Sequence, residues 1–217
     1  MIVAEPADVA ELCARASALG GRTVGEVARA LEVPLPPDPR RAKGFVGALA
    51  ERALGAIARS SEGPDFPRLG VELKTLPVAR GRVVESTFVC NAPLARADAI
   101  EWEGSRVRAK LARVLFLAVE RDPPRRFGAA FLWSPSAEEE AVLRADWEEL
   151  VGLIGAGDVE AIDARRGRWL QLRPKGADAR ARTKAIDADG APFWGPSRAF
   201  YLRAAFTRQL LAAQGLA

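Results

Sequence analysis

The chain has 217 residues, 49% of them hydrophobic and 28% charged, carries a formal net charge of +4, and contains two cysteines and no histidine. That length suits one domain, or one domain in two lobes, with a substantial core, and the composition excludes a disordered or fibrous protein. Cys13 and Cys90 are too few for a disulfide framework, the missing histidines remove zinc sites and histidine-based acid–base catalysis, and no apolar run reaches the roughly 20 residues of a spanning helix. Glu5, Asp8 and Glu11 within the first 20 residues are unlike a secretory signal, which makes the cytoplasm the expected location.

Val9, Leu12 and Cys13 predict an amphipathic helix over about Ala7 to Leu19, stopped by Gly20-Gly21. Thr23 with Glu26 three residues on is a capping box for a short second helix to Leu31, after which "PLPPDP" breaks the chain. A third helix is expected over about Ala42 to Arg59, with Val46, Leu49, Ala53 and Ile57 on its buried stripe. Gly47, Gly55 and Ala58 form a second stripe of small residues around Glu51, where another backbone or a ligand could approach closely.

After Gly63-Pro64 the apolar period changes to two, so Val71 and Leu73 face a core while Glu72 and Lys74 face the other way along a half-buried strand. "VVESTFVCNAP" reads as a second strand. "VRAKLARVLFLAVE" begins basic and becomes an apolar central strand, and "RFGAAFLWSP" supplies another. Ser136 with Glu139 caps a helix to about Ile154, "RWLQLRP" is a strand or sheet edge, and a last helix follows "AFYL" from about Arg203 to Ala213. The expected fold class is α/β, with helices flanking one mixed central β-sheet of four to six strands.

Charge is unevenly spread. Arg165 to Lys184 holds eight basic residues against Asp178, whereas Glu138 to Glu149 holds six acids against Arg144. Two solvated faces would account for this; a nucleic-acid partner for the basic side is the sharper alternative.

Phosphodiester hydrolysis needs a hard cation beside the phosphate, a water made nucleophilic, and a positive charge near both. "GPDFPRLGVELKTLP" offers these: strand alternation sets Glu72 and Lys74 about 7 Å apart on one face, and the turn before Gly70 can return Asp65 beside them. Asp65 and Glu72 would hold Mg²⁺, with the Leu73 carbonyl as a third ligand. Lys74 would orient or deprotonate water, or stabilise the phosphate. An acid-x-Lys tripeptide alone is a weak signal, and an exposed Glu–Lys pair is its bland alternative. Context strengthens it: the chain has five lysines against 27 arginines, and only Lys74 follows an acid by two residues.

"DFPRLGVELKTLPV", followed in order by "ESTFVCNAPL", "SRVRAKLARVLF", "LWSPSAEEEAVLRADWEEL", "ARRGRWLQLRPKGADARARTKAI" and "AFYLRAAFTRQLL", resembles the MutH family of DNA mismatch-repair endonucleases, over nearly the whole chain from Gly21. The resemblance implies a restriction-endonuclease-like fold, with two lobes around a DNA cleft in a single endonuclease domain of residues 1–217. About 1–62 would form a helical N-terminal lobe, and about 63–217 the sheet core and C-terminal DNA-reading lobe. It also implies Mg²⁺-dependent nicking of the unmethylated strand at hemimethylated GATC, with Mn²⁺ able to replace Mg²⁺. Implied partners are double-stranded DNA, MutS and MutL, with no membrane role and a monomeric enzyme.

Carried over by position, the family's metal-binding acids fall on Asp65 and Glu72, its catalytic lysine on Lys74, and a further active-site glutamate on Glu51, for which the residues alone favour a solvated helix position. Lys110 in "VRAKL" resembles a lysine near the scissile site, its alternative being a surface lysine. Arg173 and Lys175 in "LRPK" match a base-reading loop, and Arg can bridge guanine O6 and N7. Phe88 resembles an aromatic at the DNA surface, its alternative being an inward strand residue, and Lys43 joins the expected DNA contacts. Tyr201, the sole tyrosine, falls where the family senses adenine methylation; a buried ring with a satisfied hydroxyl is the alternative. Two rival functions remain: a restriction-type enzyme cutting both strands of GATC, and a DNA-binding accessory protein that does not cut.

Overall fold

A computed structural model describes residues 3–37, 44–57, 63–95, 100–157, 162–163, 165–175, 182–187 and 189–215. The chain divides into two compact units that interleave in sequence: Met1–Glu85, Ala112–Ser134 and Arg208–Ala217 form the first, Ser86–Leu111 and Pro135–Thr207 the second.

The first unit opens with helices α1 (Val9–Leu19), α2 (Val24–Ala30) and α3 (Phe45–Leu54). Asp8 caps α1 by accepting from the Glu11 N–H, and the Thr23–Glu26 capping box on α2 is formed in both directions. Helix α3 is shorter than its sequence predicts, because Gly55 ends it in the left-handed region at φ 82°. A side chain there would collide with the Ala4 carbonyl, so only glycine fits; Ile57, expected on the buried stripe, is instead exposed. Residues 42, 43, 58 and 59 of the expected helix lie outside the described residues.

Strands β1 (Glu72–Ala79), β2 (Arg82–Val83), β4 (Val114–Glu120) and β5 (Phe127–Trp133) form a mixed sheet in the order β2-β1-β4-β5, with β1 and β4 parallel and the other pairs antiparallel. On one face Leu73, Leu115, Leu117 and Phe127 pack with Leu12, Val27, Leu49 and Leu54 of the helices, so helices and sheet share one core. The other face is also apolar. Phe116 packs against Phe131 and Trp133 with tilted rings at centroid distances of 5.3 and 6.0 Å, and Leu76 is fully buried. Because β1 is covered on both sides, Glu72 and Lys74 lie deeper than a half-buried strand predicts.

The second unit holds β3 (Thr87–Asn91), α4 (Arg106–Leu111), α5 (Ala137–Gly155), β6 (Leu170–Pro174), β7 (Arg182–Ile186), β8 (Pro192–Pro196) and β9 (Arg198–Leu202); α6 (Ala204–Ala213) begins in it and ends in the first. Strands β3, β9 and β6 make an antiparallel sheet in that order, and β7 with β8 makes a two-stranded ribbon. The Ser136–Glu139 capping box on α5 is formed as expected.

The expected mixed central sheet of four to six strands is present as the four strands β2-β1-β4-β5, and two smaller sheets accompany it among the described residues. Three expectations change. The expected strand "VVESTFVCNAP" is divided at the unit boundary into β2 and β3. The basic start of "VRAKLARVLFLAVE" is helical, with Ser105 accepting from the Arg108 N–H through its hydroxyl at 3.1 Å. "AFYL", read as the run-in to a helix, is a central strand, β9.

Candidate active site

The site in the first unit is built by a tight turn. Phe66 and Val71 exchange both backbone hydrogen bonds (2.9 and 3.2 Å), and Gly70 takes the left-handed conformation at φ 64° that closes the loop between them. Asp65 is thereby returned to the head of β1, where its Oδ2 accepts the Leu73 N–H at 2.8 Å.

That bond also fixes the direction of the Leu73 carbonyl. The Glu72 N–H donates to the Arg113 carbonyl at 2.9 Å, on the β4 side of the strand. The N–H and C=O of one strand residue point to the same side, and successive residues alternate, so the Leu73 carbonyl points away from β4, toward the side where Asp65 sits.

Glu72 and Lys74 share the opposite sheet face from Leu73. Lys74 Nζ donates to Glu72 Oε1 at 2.7 Å, and their side chains are only 12% and 3% exposed. An ion pair this far from water couples more strongly than a surface pair, and removing one partner strands the other charge. Glu51 arrives on α3. Gly47, one turn before it on the same helical face, has no side chain, and a Cβ there would lie 4.0 Å from Thr75 Oγ1 of β1. Helix α3 therefore passes close to β1 at Gly47, one turn before Glu51.

Electrostatics join the three acids. Burial, and next the Glu72 carboxylate, push the Asp65 carboxyl up to about 6; the Leu73 N–H and the Lys74 ammonium oppose this, and Glu51 adds a smaller upward push. Among the described residues no three His, Cys, Asp or Glu side chains form a ready-made metal cage. The donor set is instead two mutually repelling carboxylates with a backbone carbonyl on the Asp65 side. Such an open set suits a hard cation that keeps several waters and takes the rest of its ligands from substrate phosphate.

In the second unit, three of the expected DNA-contacting residues come together on one face of the β3-β9-β6 sheet. Phe88 and Tyr201 are cross-strand neighbours with rings edge to face at 5.6 Å, and the Arg173 guanidinium lies over the Tyr201 ring at 5.8 Å. Phe88 is 40% exposed, so it does not point inward. Tyr201 is half-buried; burial raises its phenol above the usual range and Arg173 opposes the rise. Lys175 is exposed just past β6, its N–H donating to the Ser197 carbonyl at 2.8 Å. Lys110 is buried near the end of α4, which overturns its reading as a surface lysine, and Lys43 lies outside the described residues.

Two supports were not foreseen. Gln171 sits opposite Tyr201 on the other flank, its amide nitrogen donating to Ser86 Oγ at 2.7 Å. Asp146, counted in the sequence as part of the acidic face, is buried and accepts the N–H groups of Arg168, Trp169 and Leu170 at 2.6, 2.6 and 2.8 Å. Arg203 grips the same loop from its carbonyls, donating to Arg166 and Gly167 oxygens at 2.6 and 3.0 Å. Together they fix the entry into β6, and hence where Arg173 stands. Only the position of Asp146 on the apolar stripe with Leu143 and Leu150 signals this in the sequence.

A carboxylate pair with a largely enclosed lysine in one unit, and a cationic, aromatic sheet face in another, point to the class of enzymes that cut nucleic acid. Comparison with known proteins supplies the family. The family model for the DNA mismatch repair enzyme MutH matches residues 54–146. The DNA mismatch repair protein MutH of Serratia proteamaculans (strain 568) is 50% identical over 213 residues, covering 95% of this chain and 93% of its own. The proteins of the same name from Yersinia pestis (strain Pestoides F) and Yersinia pseudotuberculosis serotype O:1b (strain IP 31758) are each 49% identical over 215 residues, covering 96% of this chain and 94% of theirs. The chain belongs to the MutH family of DNA mismatch-repair endonucleases. Among the described residues no helix is long and apolar enough to cross a membrane.

Proposed function

We propose that the chain is a Mg²⁺-dependent, sequence-specific endonuclease of methyl-directed mismatch repair, nicking the unmethylated strand of double-stranded DNA at hemimethylated GATC sites. It works as a cytoplasmic monomer of one endonuclease domain with a restriction-endonuclease-like fold, recruited and switched on by MutS and MutL. The observation that carries this reading is the convergence of Asp65, Glu72 and Lys74 at the head of β1, with Glu51 within electrostatic reach.

Asp65 and Glu72 would hold the cation, with the Leu73 carbonyl beside them. Bound there, Mg²⁺ would neutralise charge on the scissile phosphate and acidify water. The chain's own residues do the rest. Lys74, with its ammonium already anchored on Glu72, places a positive charge where the phosphate gains negative charge and holds the attacking water in line. Below about pH 6 Asp65 keeps its proton beside the Glu72 carboxylate, and a cation held there would favour the ionised form of both. Glu51 supplies a further acceptor on the α3 side. In the second unit, Arg173 and Lys175 read bases, Tyr201 with Phe88 lies against the adenine to be tested for methylation, and Lys110 and Lys43 complete the DNA contacts.

The test is incubation with Mg²⁺ and MutL on three otherwise identical duplexes, with GATC unmethylated, hemimethylated or fully methylated, and mapping of the cut ends. Nicks confined to unmethylated strands are expected. Cutting of all three duplexes would assign a restriction-type enzyme, and no cutting with either Mg²⁺ or Mn²⁺ a binding protein.

A further inference from the structure

The β7–β8 ribbon has a use that neither the hydrolytic cluster nor the reading face absorbs. Its register pairs Arg182 with Pro196, Lys184 with Trp194 and Ala185 with Phe193. Since side chains alternate across a strand and cross-strand partners share a face, Arg182, Lys184 and Trp194 stand on one side, and Ala185, Phe193 and Gly195 on the other. Burial follows this division: Ala185 is 1% exposed and Trp194 65%, with Arg182 and Lys184 exposed beside it.

Trp194 lies opposite Lys184 and diagonal to Arg182, so one face presents an exposed aromatic ring beside two cations. That combination matches a polyanion with flat apolar parts. The ribbon's attachment points the same way. Its second strand runs into β9, the strand of Tyr201, through Ser197 alone, and the Ser197 carbonyl accepts the Lys175 N–H. The ribbon is thus anchored to the strand ends that carry Lys175 and Arg173, and adds its charge to theirs.

We infer that the outer face of the β7–β8 ribbon is a second DNA-contact surface, in which Arg182 and Lys184 meet phosphates and Trp194 packs on deoxyribose or an exposed base edge, independently of sequence. This rests on the reading of DNA as the substrate. Its test uses the full chain in Ca²⁺, to hold off cutting, with labelled duplexes that carry or lack a GATC site, followed by fluorescence anisotropy across a salt series.

Trp194→Ser should weaken binding to both duplexes alike by about tenfold, and Trp194→Phe should restore most of it. The double change Arg182→Gln with Lys184→Gln should reduce the slope of log Kd against log salt by about two. Melting temperature should hold in all variants, because all three side chains are exposed. Unchanged affinity and slope in the variants, with wild-type binding intact, would overturn the inference; if activation by MutL were then lost, the face would belong to a protein partner. Wild-type protein that binds neither duplex would overturn the DNA reading itself and the ribbon's role with it.

Discussion

The hydrolytic cluster and the reading face are assembled in opposite ways. Asp65, Leu73, Glu72 and Lys74 lie within ten residues of sequence, brought together by one turn and one strand, and their polar groups are tied to each other away from water. Phe88, Arg173 and Tyr201 come from three strands far apart in the chain, and Phe88 and Arg173 remain exposed. A local, enclosed site keeps its geometry whatever lies outside it, which suits chemistry that must be the same at every cut. An open face built from long-range pairing is ready to be completed by a ligand, which suits selection.

That contrast can be broken most forcefully in the cluster. Glu72→Gln removes a cation ligand and the partner of Lys74 at once, and should lower the single-turnover cleavage rate by about a thousandfold or more, measured with saturating enzyme. In the second unit the largest effect should be on folding. Asp146→Ala leaves three N–H groups, one buried and two part-buried, without their acceptor and should cost about 3 kcal/mol, read by urea denaturation.

Asp65 gives a pH signature. Its carboxyl ionises at about 6 in the folded protein against 3.8 ordinarily, so the folded state holds the proton more tightly than the unfolded one. The contribution of Asp65 to the stability of the metal-free protein is then greatest below the ordinary value and is lost as pH rises through this window, by roughly 2–3 kcal/mol at most. Asp65→Asn should abolish that fall, and above pH 6 should make the metal-free protein more stable than wild type while removing stabilisation by Mg²⁺; denaturation at pH 5 and pH 7.5, with and without Mg²⁺, checks both. The smallest effect is expected on the reading face. Arg173→Ala should cost about 1–3 kcal/mol of GATC preference and leave binding to unrelated duplex almost unchanged.

The same contrast explains what was legible beforehand. The Thr23–Glu26 and Ser136–Glu139 boxes, the strand at Glu72 to Lys74 and the turn at Gly70 are short-range patterns, and each formed, though the strand is buried on both faces and not on one. The cluster was legible for the same reason. The three-stranded sheet was not, because β9 was masked by "AFYL" adjoining a helical run, and pairing of residue 88 with 201 leaves no local mark. The ribbon did leave one: Asp189-Gly190 is a hairpin turn signal, with Asp187 Oδ1 accepting the Asp189 and Ala191 N–H groups, but Pro192 and Pro196 in the strand that follows obscured it. The end of α3 was missed because the need for glycine at position 55 comes from the distant Ala4 carbonyl.

The most direct measurement is single-turnover cleavage of a hemimethylated GATC duplex by wild type, Lys74→Ala and Arg173→Ala, with Kd for the same duplex determined in Ca²⁺. The account predicts that Lys74→Ala keeps its Kd and loses the chemical step by at least a hundredfold, whereas Arg173→Ala loses affinity and cuts at nearly the wild-type rate once saturated. Cleavage by Lys74→Ala at the wild-type rate would contradict it, because the Asp65–Glu72–Lys74 cluster would then not be where the strand is cut.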